Sequence, residues 1–231
     1  MQAFDIFWTQ MFVQEGYRNV LIGLKNTAFI AVFGLLIGMI LGCLLATFKL
    51  LPGKGILPKT LSKVTDVYVA IFRGTPMVVQ LLLLHFVIFP AVGLDMSSVT
   101  EAIIAFGLNS GAYVCEIMRG GILSVDIGQT EAGRAVGLGY GTTMLRIVLP
   151  QAIKNVIPTL GNEFITLLKE TSVVSFIAVM DITKAFQAVA NSTYEYIIPY
   201  IMLALVYLVI VLLVTLCLKL VERRMRASDR R

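Results

Sequence analysis

A row of polar side chains interrupts the otherwise apolar stretch between residues 156 and 180. The row comprises Thr159, Asn162, Glu163, Thr166, Lys169 and Glu170. Their spacing places them on one face of an α-helix. Because an ionised group in an apolar helix is costly, this face should meet protein or a water-filled cavity. Glu163 could there receive a cation, or it could form a structural pair with Lys169 or Arg73.

Two other stretches show a similar pattern. One row comprises Asn109, Tyr113, Glu116 and Gly120, and a second, at intervals of seven residues, comprises Asp66, Arg73 and Gln80. Both spacings predict a shared helix face. These groups could line a path for a polar solute, or they could pair with one another and hold a helix bundle together.

The residue types that build metal sites and nucleophilic triads are sparse in this sequence. His85 is the sole histidine, and the three cysteines, Cys43, Cys115 and Cys217, are far apart in apolar surroundings. Such cysteines are typical of small buried apolar side chains. The sequence therefore predicts neither a metal site nor a disulfide nor a histidine-based triad.

The composition identifies the environment of these rows. Hydrophobic residues make up 58% of the 231 residues and charged residues 14%, whereas soluble domains average about 45–50% and about 25%. So few charges exclude a soluble enzyme and a disordered chain. They also exclude a nucleic-acid-binding protein, despite the net charge of +5. The composition predicts an all-α polytopic membrane protein.

Apolar runs locate the predicted spans. Residues 26–48 and 196–218 contain no charge, and neither do residues 74–94; each run can cross about 30 Å of hydrocarbon. Two further apolar stretches, 102–118 and 156–180, contain charges. Adding them gives five predicted transmembrane helices, at about 20–48, 61–89, 101–118, 152–180 and 196–220. Pro76 should kink or break the second, because proline lacks the backbone N–H.

The distribution of basic residues predicts the orientation. With five spans, fourteen of the nineteen Lys and Arg residues fall on one side, two fall on the other and three lie inside spans. Basic residues collect on the cytoplasmic side. We therefore expect an outside N-terminus, a transmembrane domain over 20–222 and a basic cytoplasmic tail over 223–231.

The first nineteen residues carry an amphipathic pattern. Apolar residues recur at helical spacing, namely Phe4, Phe7, Trp8, Met11 and Phe12. This pattern predicts a helix in the outer membrane interface, with its aromatic face toward lipid. A cleaved signal peptide is not expected, because Asp5 and Glu15 stand where a basic region would be.

The cytoplasmic segment 119–151 is long for a connection in a compact protein, and long loops are usually functional. Short amphipathic turns alternate with glycines, and Pro150 marks the entry into the fourth helix. Short helices of this kind are suited to docking into a groove of another protein.

This segment resembles the EAA loop of the permease subunits of ABC importers, EAA-x3-G-x9-I-x-LP. The matching residues are Glu131, Ala132, Gly133, Gly137, Ile147, Leu149 and Pro150, with Gly133 where alanine is usual. Further motifs resemble the polar amino acid type of permease: Arg73-Gly74-Thr75-Pro76 with Gln80, Asn109 to Tyr113 with Glu116, and Gly161 to Phe164. The resemblance covers residues 16–226.

The resemblance implies a type I importer permease fold with short cytoplasmic coupling helices. It implies that Glu131, Ala132, Gly133, Arg134, Gly137, Ile147, Leu149 and Pro150 contact an ABC ATPase dimer. ATP and Mg²⁺ would bind to those partner subunits, because this chain lacks a complete phosphate-binding loop; the nearest fragment is Pro52-Gly53-Lys54-Gly55. No cofactor is expected in this chain. A second permease chain, identical or related, and an extracytoplasmic amino-acid-binding protein complete the expected assembly.

For a zwitterionic amino acid, both acidic and donor groups should line the pathway. The residues expected there are Asn162, Glu163, Thr166, Thr75, Gln80, Asn109, Tyr113 and Glu116, with Glu163 receiving an ammonium group. Two alternatives remain. The chain could be a stand-alone secondary transporter or channel whose buried carboxylates relay ions, or an ABC importer permease for another small solute.

Overall fold

The computed structural model describes residues 2–51 and 55–228, and within them the side chains of 3–51 and 55–224. These residues form helices and no strand. The nucleotide-loop fragment at Pro52–Lys54 lies outside the described residues, as do the last three residues of the predicted basic tail.

Eleven α-helices are described, some extended by turns of other helix types. They are α1 (Gln2–Trp8), α2 (Gly16–Leu50), α3 (Ile56–Gly74), α4 (Met77–Leu83), α5 (Phe89–Ala91), α6 (Ser98–Leu123), α7 (Ile127–Ala135), α8 (Tyr140–Thr143), α9 (Leu149–Glu170), α10 (Ile182–Thr193) and α11 (Ile197–Ser228). Wider π-helical turns follow α1, α4 and α8, and a 3₁₀ segment, Thr171–Ile177, follows α9.

Two described helices are long and apolar enough to cross a membrane, Gly16–Leu50 and Ile197–Arg224. Two bent pairs qualify if each is one span: Ile56–Gly74 with Met77–Ala91, and Tyr140–Ile177 with Ile182–Thr193. The third predicted span, α6, has 26 residues but is less apolar. The described residues thus give two to four candidate spans, and five spans in the stated orientation remain a prediction.

The second predicted span breaks at Pro76, as its sequence indicated. Helix α3 ends at Gly74, Thr75 and Pro76 are extended, and the chain turns by 107° before α4 continues. The bend corrects one expectation: Asp66, Arg73 and Gln80 do not share a face, because Gln80 belongs to a different helix from the other two.

Close packing between α2 and α6 depends on glycines in both helices. Gly34, Gly38 and Gly42 recur every four residues on α2 and lie against Phe106, Ser110 and Val114 of α6. A Cβ at Gly38 would approach the Ser110 Cβ to 2.6 Å. Small residues at this spacing let helix backbones approach closely inside a membrane. The two helices therefore pack as one tight unit.

The N-terminal aromatic face divides between protein and surroundings. Phe7 and Met11 are buried and pack with Ile182, Phe186 and Val189 of α10, whereas Phe4, Trp8 and Phe12 are exposed and stack on one another. The expectation that all five face lipid is therefore wrong for Phe7 and Met11, because α10 covers that side. The interfacial position of α1 stays a prediction.

Candidate functional site

A polar cleft lies between α3, α6 and α9. The two helices approach closely at Gly121, which lies against Val156 and Ala152. The cleft beside them has a volume of about 440 Å³. Its polar lining comes from α3, α6, α9 and the residue that follows α6, namely Arg73, Tyr113, Glu116, Ser124, Asn155 and Thr159. Tyr113 and Glu116 are two of the residues expected on a solute pathway.

Two different contacts join residues of the cleft lining. The Arg73 guanidinium lies over the ring of Tyr113, 5.3 Å from the ring centroid. The Asn155 side-chain amide donates a hydrogen bond to the Ser124 hydroxyl at 2.9 Å. These contacts connect α3, α6 and α9 around the cleft.

The polar row on α9 divides into an exposed edge and a buried edge. Thr159, Asn162, Thr166 and Lys169 are exposed, whereas Glu163 is 9% exposed and its carboxylate lies near Ser110 of α6. Among the described residues no ion pair joins Glu163 to Lys169 or Arg73. The structural-pair alternative for Glu163 therefore finds no support in the described side chains.

Gln80, Asn109 and Thr75 cluster at the break between α3 and α4. The Gln80 amide nitrogen donates to the backbone carbonyls of Phe72 and Thr75, at 2.8 and 2.9 Å. Its carbonyl accepts a hydrogen bond from the Asn109 side chain at 2.9 Å. This network satisfies carbonyls that the helix break frees, which a buried backbone requires. Whether these three residues also contact a solute stays a prediction.

Lys49, at the end of α2, joins α2 to α3 and α6 through two acidic residues. Its ammonium lies 2.9 Å from the Asp66 carboxylate and 2.8 Å from that of Glu116. Arg119 pairs with the same Glu116 at 2.8 Å. The alternative that these acidic groups pair structurally is thus observed for Asp66 and Glu116. The sequence did not indicate Lys49, because its partners are distant along the chain.

Two further buried acidic residues escaped the sequence reasoning. Glu101, in the first turn of α6, pairs with His85 in the π-helical turn after α4. Asp181 is fully buried before α10, where it accepts hydrogen bonds from the backbone N–H groups of Thr183 and Lys184. Burial raises the pKa of Asp181. An Asp one residue before an amphipathic segment was the available sequence signal for this N-cap.

The EAA-like motif forms an exposed helix–turn–helix. Asp126 caps α7 by accepting a hydrogen bond from the Gly128 N–H at 2.7 Å. Gly133 is buried against Thr143, and a Cβ there would approach the Thr143 Cγ2 to 2.6 Å. The glycine that departs from the usual motif thus allows α8 to pack on α7. Gly137, in the turn, has φ +79°, a conformation that favours glycine.

The positions predicted to contact an ATPase are mostly exposed. Glu131, Ala132, Arg134, Gly137 and Pro150 are exposed, whereas Ile147 and Leu149 are half-buried. Ile127 and Val136 add apolar exposed surface, 75% and 73% exposed. The predicted coupling residues lie within one largely exposed segment of the chain, and their contact with an ATPase stays a prediction.

Comparison with known proteins places the chain in a family. Residues 34–227 match the model of the binding-protein-dependent transport system inner membrane component. The chain therefore belongs to this family of bacterial inner-membrane transport subunits.

Relatives and solved structures agree with this membership. The chain is 40% identical over 210 residues to an arginine transport system permease protein of Bacillus subtilis, covering 91% of this chain and 94% of the relative. It is 36% identical over 205 residues to the glutamine transport system permease protein of Escherichia coli, covering 88% and 91%.

A crystal structure of an amino acid ABC transporter with histidines superposes with a TM-score of 0.83 at 37% identity, covering 92% of this chain and 96% of that chain. An inward-facing MetNI methionine ABC transporter gives 0.68 at 22% identity, covering 90% and 94%, which shows the shared fold. The all-α chain thus has the type I ABC permease fold.

Proposed function

We propose that this chain is the transmembrane subunit of an ATP-driven importer for a polar amino acid. The exposed α7–α8 turn, which carries the EAA spacing, is the observation that carries the proposal. It offers an exposed surface next to a polar cleft between the helices that precede and follow it. Relatives named for arginine and glutamine transport support an amino acid as the cargo.

The proposed assembly contains two permease chains, two ATPases and an extracytoplasmic binding protein. Each permease has five spans, an outside N-terminus and a cytoplasmic C-terminus, in accord with the distribution of its basic residues. A five-helix chain is too small to enclose an alternating pathway, so the exposed polar edge of α9 would face the second chain. That chain is identical or closely related.

The α7–α8 segment would couple ATP binding and hydrolysis on the ATPase subunits to movement of the permease helices. Glu131, Arg134 and Gly137 would lie in the groove of an ATPase subunit that binds ATP and Mg²⁺. When the two ATPases close, they draw the coupling segments together and the helix bundles rock between inward-open and outward-open states. The tight packing of α7 on α8 through Gly133 supports this role, because a rigid segment transmits displacement.

The charge arrangement favours this proposal over a secondary transporter or channel. A proton or ion relay would use Glu116 and Glu163. Glu116 already binds Lys49 and Arg119, so its charge is neutralised within the bundle. Glu163 would then be the single carboxylate of the two that is left for a relay. A solute site, by contrast, needs only one carboxylate to bind an ammonium group.

Reconstitution tests the proposal directly. The permease, its ATPase and its binding protein are incorporated into proteoliposomes, and uptake of radiolabelled amino acids is measured with and without internal ATP. We expect uptake that requires all three components and ATP. Uptake driven by an ion gradient without the ATPase would contradict the proposal. ATP-driven uptake of a different solute would contradict the assignment of an amino acid as the transported solute.

A further inference from the structure

A basic pocket lies between the end of α2 and the start of α3. Its volume is about 550 Å³, which is within the range of binding sites for small molecules. Three lysines line it, Lys49, Lys59 and Lys63, and no acidic residue belongs to the described lining. In the predicted orientation the α2–α3 connection lies on the cytoplasmic side of the membrane. The pocket therefore has an excess of positive charge on that side.

The three lysines differ in how far their charges are already neutralised. The Lys49 ammonium contacts the carboxylates of Asp66 and Glu116 at 2.9 and 2.8 Å. Lys59 and Lys63 are exposed, and neither forms an ion pair within the part of the chain whose side chains are described. These two lysines are one helical turn apart, so their side chains are neighbours on α3. An anion in the pocket would therefore meet two cations that no described carboxylate neutralises.

Apolar surface begins at the same pocket and continues along α3. Four exposed apolar side chains fall at i, i+8, i+11 and i+15, which places them on one helix face; they are Ile56, Val64, Val67 and Ile71. Ile56 also belongs to the pocket lining, so the apolar face and the lysines adjoin. A ligand that is anionic at one end and apolar along its length matches this surface. A phospholipid with a negatively charged headgroup is such a ligand.

We propose that this pocket binds the phosphate of an anionic phospholipid headgroup, with the acyl chains along the apolar face of α3. Lys59 and Lys63 bind the phosphate, and Ser62 adds a hydroxyl group to the same lining. Basic pockets on the cytoplasmic side of membrane helices are suited to lipid headgroups. A free phosphate would meet the same lysines but would leave the apolar face uncovered. The lipid site shares no lining residue with the cleft that contains Arg73, and it does not depend on which solute is transported.

Native mass spectrometry of the permease in complex with its ATPase tests the lipid site. The complex is equilibrated in detergent with equal amounts of phosphatidylglycerol and phosphatidylcholine that carry identical acyl chains, and the ratio of the two bound lipids is measured. The test variant combines Lys59→Gln with Lys63→Gln, and a second variant combines Lys59→Arg with Lys63→Arg to keep both charges. The matched control combines Lys219→Gln with Arg223→Gln, which removes two exposed charges at the same spacing on α11.

We expect the wild-type complex to retain phosphatidylglycerol in preference to phosphatidylcholine. The test variant should lower the ratio of the two bound lipids by about thirtyfold, since each lysine near a membrane surface contributes about fivefold toward an anionic lipid. The variant with two arginines should keep the wild-type ratio, and so should the control. A thermal unfolding midpoint in phosphatidylcholine nanodiscs equal to that of the wild type shows that the test variant is folded.

The inference is overturned if the wild type shows no preference or if the test variant keeps the wild-type ratio. It is also overturned if the control lowers the ratio as much as the test variant, because the preference would then come from general surface charge. Thermal unfolding of the wild type with added inorganic phosphate or added phosphatidylglycerol separates the two sources of the anion. A rise in midpoint with inorganic phosphate at least as large as that with phosphatidylglycerol would assign the pocket to free phosphate. A smaller rise, or none, supports the lipid.

Discussion

We expect transport to depend on the buried carboxylate of Glu163. It is nearly covered by α6 and α9, and no described side chain neutralises it. We expect Glu163→Gln to lower ATP-driven uptake by about tenfold or more, because the amide cannot offer a charge to an ammonium group. Uptake in proteoliposomes measures the effect.

Two comparisons make the Glu163→Gln result specific. Co-purification with the ATPase should stay normal, since the substitution preserves shape. Glu15→Gln, at an exposed acidic residue near the N-terminus, should transport like the wild type. Unchanged uptake by Glu163→Gln would remove Glu163 from the solute site.

Lys49 stabilises the protein through its two carboxylate partners. Replacing it by methionine keeps the stem and leaves Asp66 without its partner, while Glu116 retains Arg119. We expect Lys49→Met to lower the free energy of unfolding by about 1.5–3 kcal/mol, the range for hydrogen bonds to charged groups. Thermal unfolding of the detergent-solubilised protein measures it. A Lys49→Met, Asp66→Asn double variant that is no more stable than the single variant would show that Asp66 contributes nothing to this loss.

At the scale of helices, the glycine row on α2 sets the distance to α6. We expect Gly38→Ala to destabilise the protein by about 1–3 kcal/mol, because a Cβ there meets the Ser110 Cβ at 2.6 Å and overpacks the interface. Gly120→Ala on α6 is the control, because nothing lies within 4 Å of its Cβ position. Alanine there should leave stability equal or slightly higher. Equal midpoints for the two variants would contradict the packing argument.

The α7–α8 turn should connect the permease with its ATPase. We expect Gly137→Asp to abolish co-purification of the ATPase and ATP-driven uptake, because it strains a turn with φ +79° and adds charge to the docking surface. Gly93→Asp places the same substitution at φ +68° in the turn between α5 and α6. If it leaves the complex intact, strain alone is not the cause. Wild-type stoichiometry and uptake with Gly137→Asp would contradict the coupling role.

Local signals in the sequence predicted several of these elements. Pro76 indicated the break in the second helix, and the glycine-punctuated pattern of segment 119–151 indicated short helices. What the sequence could not supply was the partner of each side chain. Lys49 meets residues 17 and 67 positions away along the chain, and only packing of α2, α3 and α6 brings them together. The division of the α9 row into buried and exposed edges likewise depends on where α6 lies.

The whole molecule is one part of a larger assembly. We expect native mass spectrometry of the purified transporter to show two copies of permease, each 25.3 kDa if the chains are identical, for every two ATPase subunits. Two permease masses would indicate a related pair. A stable complex containing one permease chain would contradict the proposed shared pathway.

The fluorescence of Trp8, which lies between Phe4 and Phe12 on the N-terminal segment, can report the position of this segment in the membrane. Trp8 is the one tryptophan of the sequence. The residue is 51% exposed, and its ring centroid lies 4.2 Å from that of Phe12. All indole emission from this chain therefore originates at one known point on α1. Lipids brominated at successive carbons of the acyl chain should quench that emission most strongly at shallow depth, which would measure how far α1 sits in the bilayer.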